Sequence, residues 1–293
     1  MEVEVKTIDR VFDAPRGHWV GDGFPVRTMF SYHSAPERFS PFLLLDYAGP
    51  TRFAPTNLRR GVGQHPHRGF ETVTIIYEGE VEHHDSTGAG GQIGPGDVQW
   101  MTAGAGILHE EYHSDHYAAH GGPFEMIQLW VNLPAAAKRT PPGYQSLMAD
   151  AIPQVMLPGN AGRVRVIAGA FDGARGPAHT HSPMQVWDVA RNSAGMATLP
   201  AAQGWTTLLL VRRGTVLVND SEVVRDAQLV SLTREGQDVR IEANGDAQLL
   251  FLSGAPIDEP NAGYGPFVMN TQAEIRESIA DFNAGRFAST SEG

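Results

Sequence analysis

The sequence predicts an all-β protein of two antiparallel sandwiches or barrels, closed by a C-terminal helix. Three observations carry this. Short β-branched and aromatic runs alternate with glycine- and proline-bearing breaks roughly every 8–12 residues, the rhythm of antiparallel sandwiches and barrels. The chain has 293 residues, too many for one typical domain of roughly 100–150 and enough for two. The halves also read as a diverged repeat: Gly69–Val81 (GFETVTIIYEGEV) aligns without gaps with Gly204–Val216 (GWTTLLLVRRGTV).

In chain order, Thr72–Tyr77 is β-branched and aromatic and runs into Glu78-Gly79-Glu80, a strand followed by a hairpin turn. Gly88–Gly91 and Gly94-Pro95-Gly96-Asp97 are further breaks, and Phe124–Val131 is another strand. Pro134–Pro142, rich in Pro, Ala and basic residues, marks a linker and sets expected domains at 1–133 and 143–293. Thr206–Val211, Thr215–Val218 and Ala247–Leu252 repeat the strand style. Thr271-Gln272-Ala273-Glu274 is a capping box: the threonine oxygen accepts from a free amide and the glutamate answers three residues on. Ile275, Ile279 and Phe282 follow at helical spacing and Gly285 is the stop, giving a helix expected to pack on a barrel.

Composition removes several function classes. Cysteine is absent, so there is no disulfide framework, thiolate site or cysteine nucleophile. The net charge of −11 disfavours direct nucleic-acid or anionic-membrane binding. No apolar run approaches the ~18 residues of a membrane span, and Met1–Lys6 lacks the pattern of a secretory leader. The expected location is cytoplasmic.

Eight of the 12 histidines fall between His65 and His120. In His65-Pro66-His67 the proline forbids a helix interior, and an extended chain puts both imidazoles on one face. In His109-Glu110-Glu111, extended geometry likewise pairs His109 with Glu111 and turns Glu110 away. Brought together, the two segments offer three imidazoles and a carboxylate, a set suited to Fe(II), Mn(II), Ni(II) or Zn(II) with positions left open for other ligands. A rival uses the same letters. His109-Glu110-Glu111-Tyr112-His113 satisfies H-E-x-x-H, which on a helix makes a zinc protease with Glu110 as base. Period decides between them, and Gly104 and Gly106 before the motif argue against a helix. Glu71 stands as either a fifth ligand or a group orienting an imidazole. His83-His84-Asp85 reads as a solvated strand end, His113, His116 and His120 as a polar surface or lip, and His179-Thr180-His181 as loop. In the repeat register His65, His67 and His109 fall on Pro200, Ala202 and Arg240, so the second copy lacks the histidines.

The stretches His65–Val73 (HPHRGFETV) and Gly96–Glu111 (GDVQWMTAGAGILHEE) resemble the pirin family. Pro41–Pro50 (PFLLLDYAGP) and Gly265–Thr271 (GPFVMNT) extend the likeness over nearly the whole chain. The resemblance implies two cupin barrels (double-stranded β-helix, or jelly-roll) with one mononuclear divalent metal in the first. That metal is usually iron, with Mn, Ni, Co or Zn as alternatives. Its ligands fall on His65, His67, His109 and Glu111, and the second barrel is metal-free. It further implies an oxygenase of the quercetin 2,3-dioxygenase type, with a flavonol or related phenolic and dioxygen as substrates. Glu111, or nearby Glu110, takes the hydroxyl proton. The same resemblance carries a second role, an iron-dependent redox-sensing regulator that binds protein partners.

Overall fold

Two seven-stranded and two four-stranded sheets form the framework of the chain, in a computed structural model that describes residues 4–192 and 195–288. The first strand, β1 (Ile8–Phe12), is followed by β2 (His18–Val20) and β3 (Phe24–Ser31). One helical turn, α1 (Pro36–Phe39), leads into the long β4 (Phe42–Phe53). Then come β5 (Gly61–His67), β6 (Phe70–Glu78), β7 (Val81–Asp85), β8 (Gly90–Ile93), β9 (Val98–Thr102) and β10 (Ile107–His113). Helix α2 (Asp115–His120), β11 (Gly122–Asn132) and β12 (Gly143–Leu147) complete this half. Its large sheet has the order β12-β9-β6-β11-β4-β3-β2 and its small sheet β5-β10-β7-β8.

The second half contributes β13 (Gln154–Met156), β14 (Gly162–Ala168), β15 (Ala170–Phe171), β16 (Ala174–Arg175), β17 (Met184–Arg191) and β18 (Gly195–Pro200). After these come β19 (Thr206–Arg213), β20 (Val216–Val218), β21 (Glu222–Val224), β22 (Gln228–Leu232), β23 (Asp238–Ala243) and β24 (Ala247–Gly254). The chain ends in the hairpin β25 (Ala262–Tyr264) and β26 (Phe267–Met269), then α3 (Gln272–Asn283). The large sheet here is β1-β22-β19-β24-β17-β14-β13 and the small one β18-β23-β20-β21. Strand for strand, this is the order of the first half. The two turn glycines of the repeat match in detail: Gly69 and Gly204 both have φ of 85°, and Gly79 and Gly214 have φ of 89° and 88°. A side chain there would be strained, which is why glycine marks both copies.

The compact units do not follow the expected 1–133 and 143–293 split around a 134–142 linker. One unit takes Pro15–Pro36, Phe42–Ala149 and the described residues from Ile257 onward; the other takes those up to Ala14, Glu37–Pro41 and Asp150–Pro256. The reason lies in the sheet edges. An open strand edge needs a partner, and β22 is covered by β1 while β9 is covered by β12. The residues between β11 and β12 therefore stay with the N-terminal barrel. Within that barrel Lys138 is buried, and its Nζ donates to the Gly69 carbonyl at 2.8 Å, Asn132 Oδ1 at 2.7 Å and the Val268 carbonyl at 2.9 Å.

Helix α3 starts as the capping box requires: Glu274 N donates to Thr271 Oγ1 at 3.2 Å, and Thr271 N to Glu274 Oε2 at 2.9 Å. It belongs to the N-terminal barrel, not the C-terminal one. Ile275 and Ile279 pack with Phe267, Met269, Phe287 and the outward-facing Leu108 of β10. Gly285, at φ of 70°, follows its end. Among the described residues no helix is long and apolar enough to cross a membrane.

A candidate metal centre in the N-terminal barrel

Strand β5 is the edge of the small sheet, the one place in a sheet where Pro66 leaves no ladder bond broken. Its neighbour β10 pairs His109 with His65 and Ile107 with His67. Between this pair and Glu111↔Val62 the register slips through a bulge. Burial alternates along β10: Ile107, His109, Glu111 and His113 are buried, while Leu108, Glu110 and Tyr112 are partly exposed. Period two therefore holds, and the H-E-x-x-H helix is absent. Glu110 lies on the outer face, where Arg59 Nη2 contacts its carboxylate at 3.4 Å, so it is neither a protease base nor a proton acceptor inside the barrel.

His65, His67 and His109 converge. One ring nitrogen from each lies within 4.8 Å of the others, and the ring centroids are 4.3 Å (His65–His109) and 4.8 Å (His67–His109) apart. Protonating such a cluster would place cations side by side away from water. Accordingly all three imidazoles titrate below the ordinary value, burial being the main cause and mutual repulsion adding for His67 and His109. His65 Nδ1 donates to the Gly63 carbonyl at 2.9 Å, which leaves Nε2 as its lone-pair nitrogen. His67 Nδ1 and both ring nitrogens of His109 are buried with no hydrogen-bond partner. Neutral imidazoles with orphaned nitrogens are what a divalent transition metal requires, so the residues fit the ion.

Glu111 lies on the same inward face, 7% exposed, but does not join the tight histidine cluster. Thr74 Oγ1 lies 3.5 Å from its carboxylate and 2.6 Å from Gln128 Oε1, two acceptors sharing one hydroxyl proton. Burial pushes the Glu111 carboxyl up to about 7, and hydrogen bonds from Thr74 and Gln128 oppose this. Glu71 is placed by parity. Phe70 and Thr74 on β6 reach the site, the Phe70 ring centroid 5.1 Å from that of His67, so the intervening odd-numbered positions face the other way. There Glu71 accepts from Thr102 Oγ1 at 2.7 Å, and burial raises it to about 7. It is not placed to serve as a fifth ligand.

Two expectations about the remaining histidines are corrected. His83 is not a solvated strand end: it is 3% exposed and pairs across the ladder with Glu111. It hydrogen-bonds Gln99, stacks on Tyr144 at 5.2 Å, and burial lowers it to about 4. His113 is not a lip residue but core, ringed by Phe24, Phe53, Tyr117 and Phe124 with its Nε2 donating to the Gly23 carbonyl at 2.9 Å. His179 and His181 lie exposed in the loop between β16 and β17. The residues that reading alone did not single out are His83, Thr74, Gln128, Trp130 and Arg68. Trp130, partly exposed, sets its ring 5.3 Å from His67 and 4.3 Å from Phe70. Arg68, next to His67, ties β5 to α3: Nε donates to the Ala105 carbonyl at 2.6 Å, and Nη1 pairs with Asp281 at 2.7 Å. The one signal available beforehand was alternation: His83 shares the parity of Val81, a repeat position.

The second barrel carries no such cluster among the described residues. Ala197, Leu199, Ala201, Val239, Ile241 and Ala243 join one aliphatic core there. Arg240, expected opposite His109, instead lies on the outer face and pairs with Asp220 at 3.6 Å. The alignment across the loop was thus one residue out of step, which in a strand exchanges the faces.

Known proteins share this fold. Residues 23–131 match the family profile described as Pirin, and residues 186–288 the one described as Pirin C-terminal cupin domain. A Pseudomonas aeruginosa protein named "Putative quercetin 2,3-dioxygenase" is 58% identical over 97% of this chain and 99% of its own length. A crystal structure described as quercetin 2,3-dioxygenase from Acinetobacter baumannii is 52% identical, covers 97% of this chain and 99% of its own, and superposes with a TM-score of 0.95. A bacterial pirin from Escherichia coli, solved in complex with nickel(II), shares the fold at 21% identity and a TM-score of 0.64, over 85% of this chain and 99% of its own. With its all-β double-cupin fold and C-terminal helix, this chain is a member of the pirin family.

Proposed function

We propose that the protein is a metal-dependent dioxygenase that opens the heterocycle of a flavonol or related phenolic, as quercetin 2,3-dioxygenase does. The observation that carries this is the cluster of three neutral imidazoles, two of them (His67 and His109) buried with unpartnered nitrogens. His65, His67 and His109 hold one divalent ion, Fe(II) first among the candidates and Mn, Ni, Co or Zn after it, and Glu111 completes the set. When bound, that ion supplies Lewis acidity toward a substrate hydroxyl and a place for dioxygen.

The chain's own residues do the rest. Trp130, partly exposed and backed by the buried Phe70, presents an aromatic surface beside the histidines against which a flat phenolic ring stacks. Glu111 receives the hydroxyl proton, its carboxylate steered by Thr74 and Gln128. Substrate is a small phenolic, with no nucleic acid and no membrane involved, and the site works in the cytoplasm.

The test is metal analysis of protein purified without added metal, then quercetin consumption and carbon monoxide release with each candidate ion. His65→Ala is expected to lose the metal and the turnover together. Glu111→Gln is expected to cut turnover at least about 100-fold and to weaken metal retention; full retention of both would remove Glu111 from the mechanism. No turnover above His65→Ala with any ion would overturn the reading.

A second reading, a redox-responsive regulator that binds partner proteins, is favoured by Arg68. It links the strand of His65 and His67 to Asp281 of α3, a route from the centre to the molecule's exterior. Partner capture that is the same for oxidised, reduced and metal-free protein would end it.

A further inference from the structure

We propose a second transition-metal site, on the outside of the N-terminal barrel, built by His116 and His120 of α2 with Glu80 behind them. The two histidines are four residues apart on one helix face, and their ring centroids are 4.5 Å apart. Both rings are already set in the tautomer a metal needs. His116 Nδ1 contacts the Glu80 carboxylate at 3.1 and 3.2 Å, and a carboxylate can only accept here, so Nδ1 carries the proton. His120 Nδ1 lies 2.8 Å from the His116 carbonyl and donates to it for the same reason. Each Nε2 is thereby left as a lone pair, and both side chains are exposed, that of His116 at 67%.

Glu80 is itself held in place. Ser114 Oγ donates to its Oε2 at 2.5 Å and Gln92 Nε2 at 3.0 Å. A histidine whose far nitrogen donates to a fixed carboxylate is the arrangement that orients a metal-binding imidazole and raises its basicity. A hollow of about 370 Å³ opens beside the rings between Tyr77, Pro95 and Pro123, leaving room for water in the remaining coordination positions. This place is separate from the barrel centre. Across β7 and β10, His109 pairs with Asp85 while His113 pairs with Val81, so Glu80 and α2 lie beyond the opposite end of those strands. Two imidazoles and water suit Cu(II) best, then Ni(II) and Zn(II).

The experiment titrates Cu(II) into metal-stripped full-length protein carrying His67→Ala and His109→Leu, which leaves a single imidazole at the barrel centre. Backbone amide resonances of residues 114–121 and of Glu80 are expected to broaden selectively at substoichiometric Cu(II). His120→Gln is expected to abolish that localised broadening, and Glu80→Gln to weaken affinity about tenfold. Wild-type protein, titrated in parallel in case the barrel variant folds poorly, is expected to take up two equivalents and its His120→Gln form one. Broadening centred elsewhere, or an affinity the same with and without His120, would overturn the proposal.

Discussion

In the N-terminal barrel, β10 turns Ile107, His109, Glu111 and His113 inward. In the C-terminal barrel the corresponding strand, β23, buries Val239, Ile241 and Ala243 against Leu199, Trp187 and Phe251. Both barrels have the same strand order, the same pair of sheets and the same glycine turns. The aliphatic copy shows that the architecture does not need the histidines. In the first barrel they replace apolar contact with buried nitrogens that find no hydrogen bond, an arrangement that lowers stability and that the proposed metal ion would offset. Proteins break local packing rules of this kind mainly at functional sites.

That contrast can be broken or sharpened by substitution. The largest expected effect on folding is in the aliphatic barrel: Ile241→Ala leaves a cavity and is expected to cost about 2–5 kcal/mol in urea unfolding, with metal content unchanged. Next comes the mirror experiment. In chelator, His109→Leu is expected to be more stable than wild type by about 1–3 kcal/mol, because it removes a buried ring with no partner for either nitrogen. A metal-free His109→Leu protein less stable than wild type would contradict the idea that the centre is built at the expense of the core.

A third test concerns pH. Glu71 titrates at about 7 instead of the usual 4.5, and its repeat counterpart is the neutral Thr206. Between those values the native state holds more protons than the unfolded chain, so Glu71's contribution is fully present below 4.5 and is lost as pH rises through about 7. Glu71→Gln is expected to flatten that decline in a series of denaturant midpoints from acid to neutral pH. The smallest effect is expected next door to the largest: Arg240→Ala, on the outer face, should shift stability by less than about 0.5 kcal/mol. A large change there would mean that β23 is buried on the other parity.

Much of the centre was legible because it is local. Pro66 forces extension, and extension alone pairs His65 with His67 and His109 with Glu111. The capping box of α3 and the turn glycines are equally local. What resisted reading depends on partners far along the chain. His83 faces Glu111 only because β7 pairs with β10 in one register, and no feature of His83-His84-Asp85 specifies that register. Arg240 was set against His109 because the loops before β10 and β23 were matched as if equivalent, and one residue's difference exchanges the faces. The compact units differ from a split at the linker because β1 and α3 each join the barrel at the opposite end of the sequence from themselves.

That crossing of the termini bears on how the molecule comes into being. Strand β1 finds its ladder partner, Leu229–Leu232, more than two hundred residues later in the chain. The barrel bearing the histidines takes contacts from residues far along the chain: Arg68 meets Asp281 and Lys138 meets the Val268 carbonyl. Neither unit is assembled from one continuous stretch of the chain, so either stretch expressed alone is expected to leave a sheet edge uncovered.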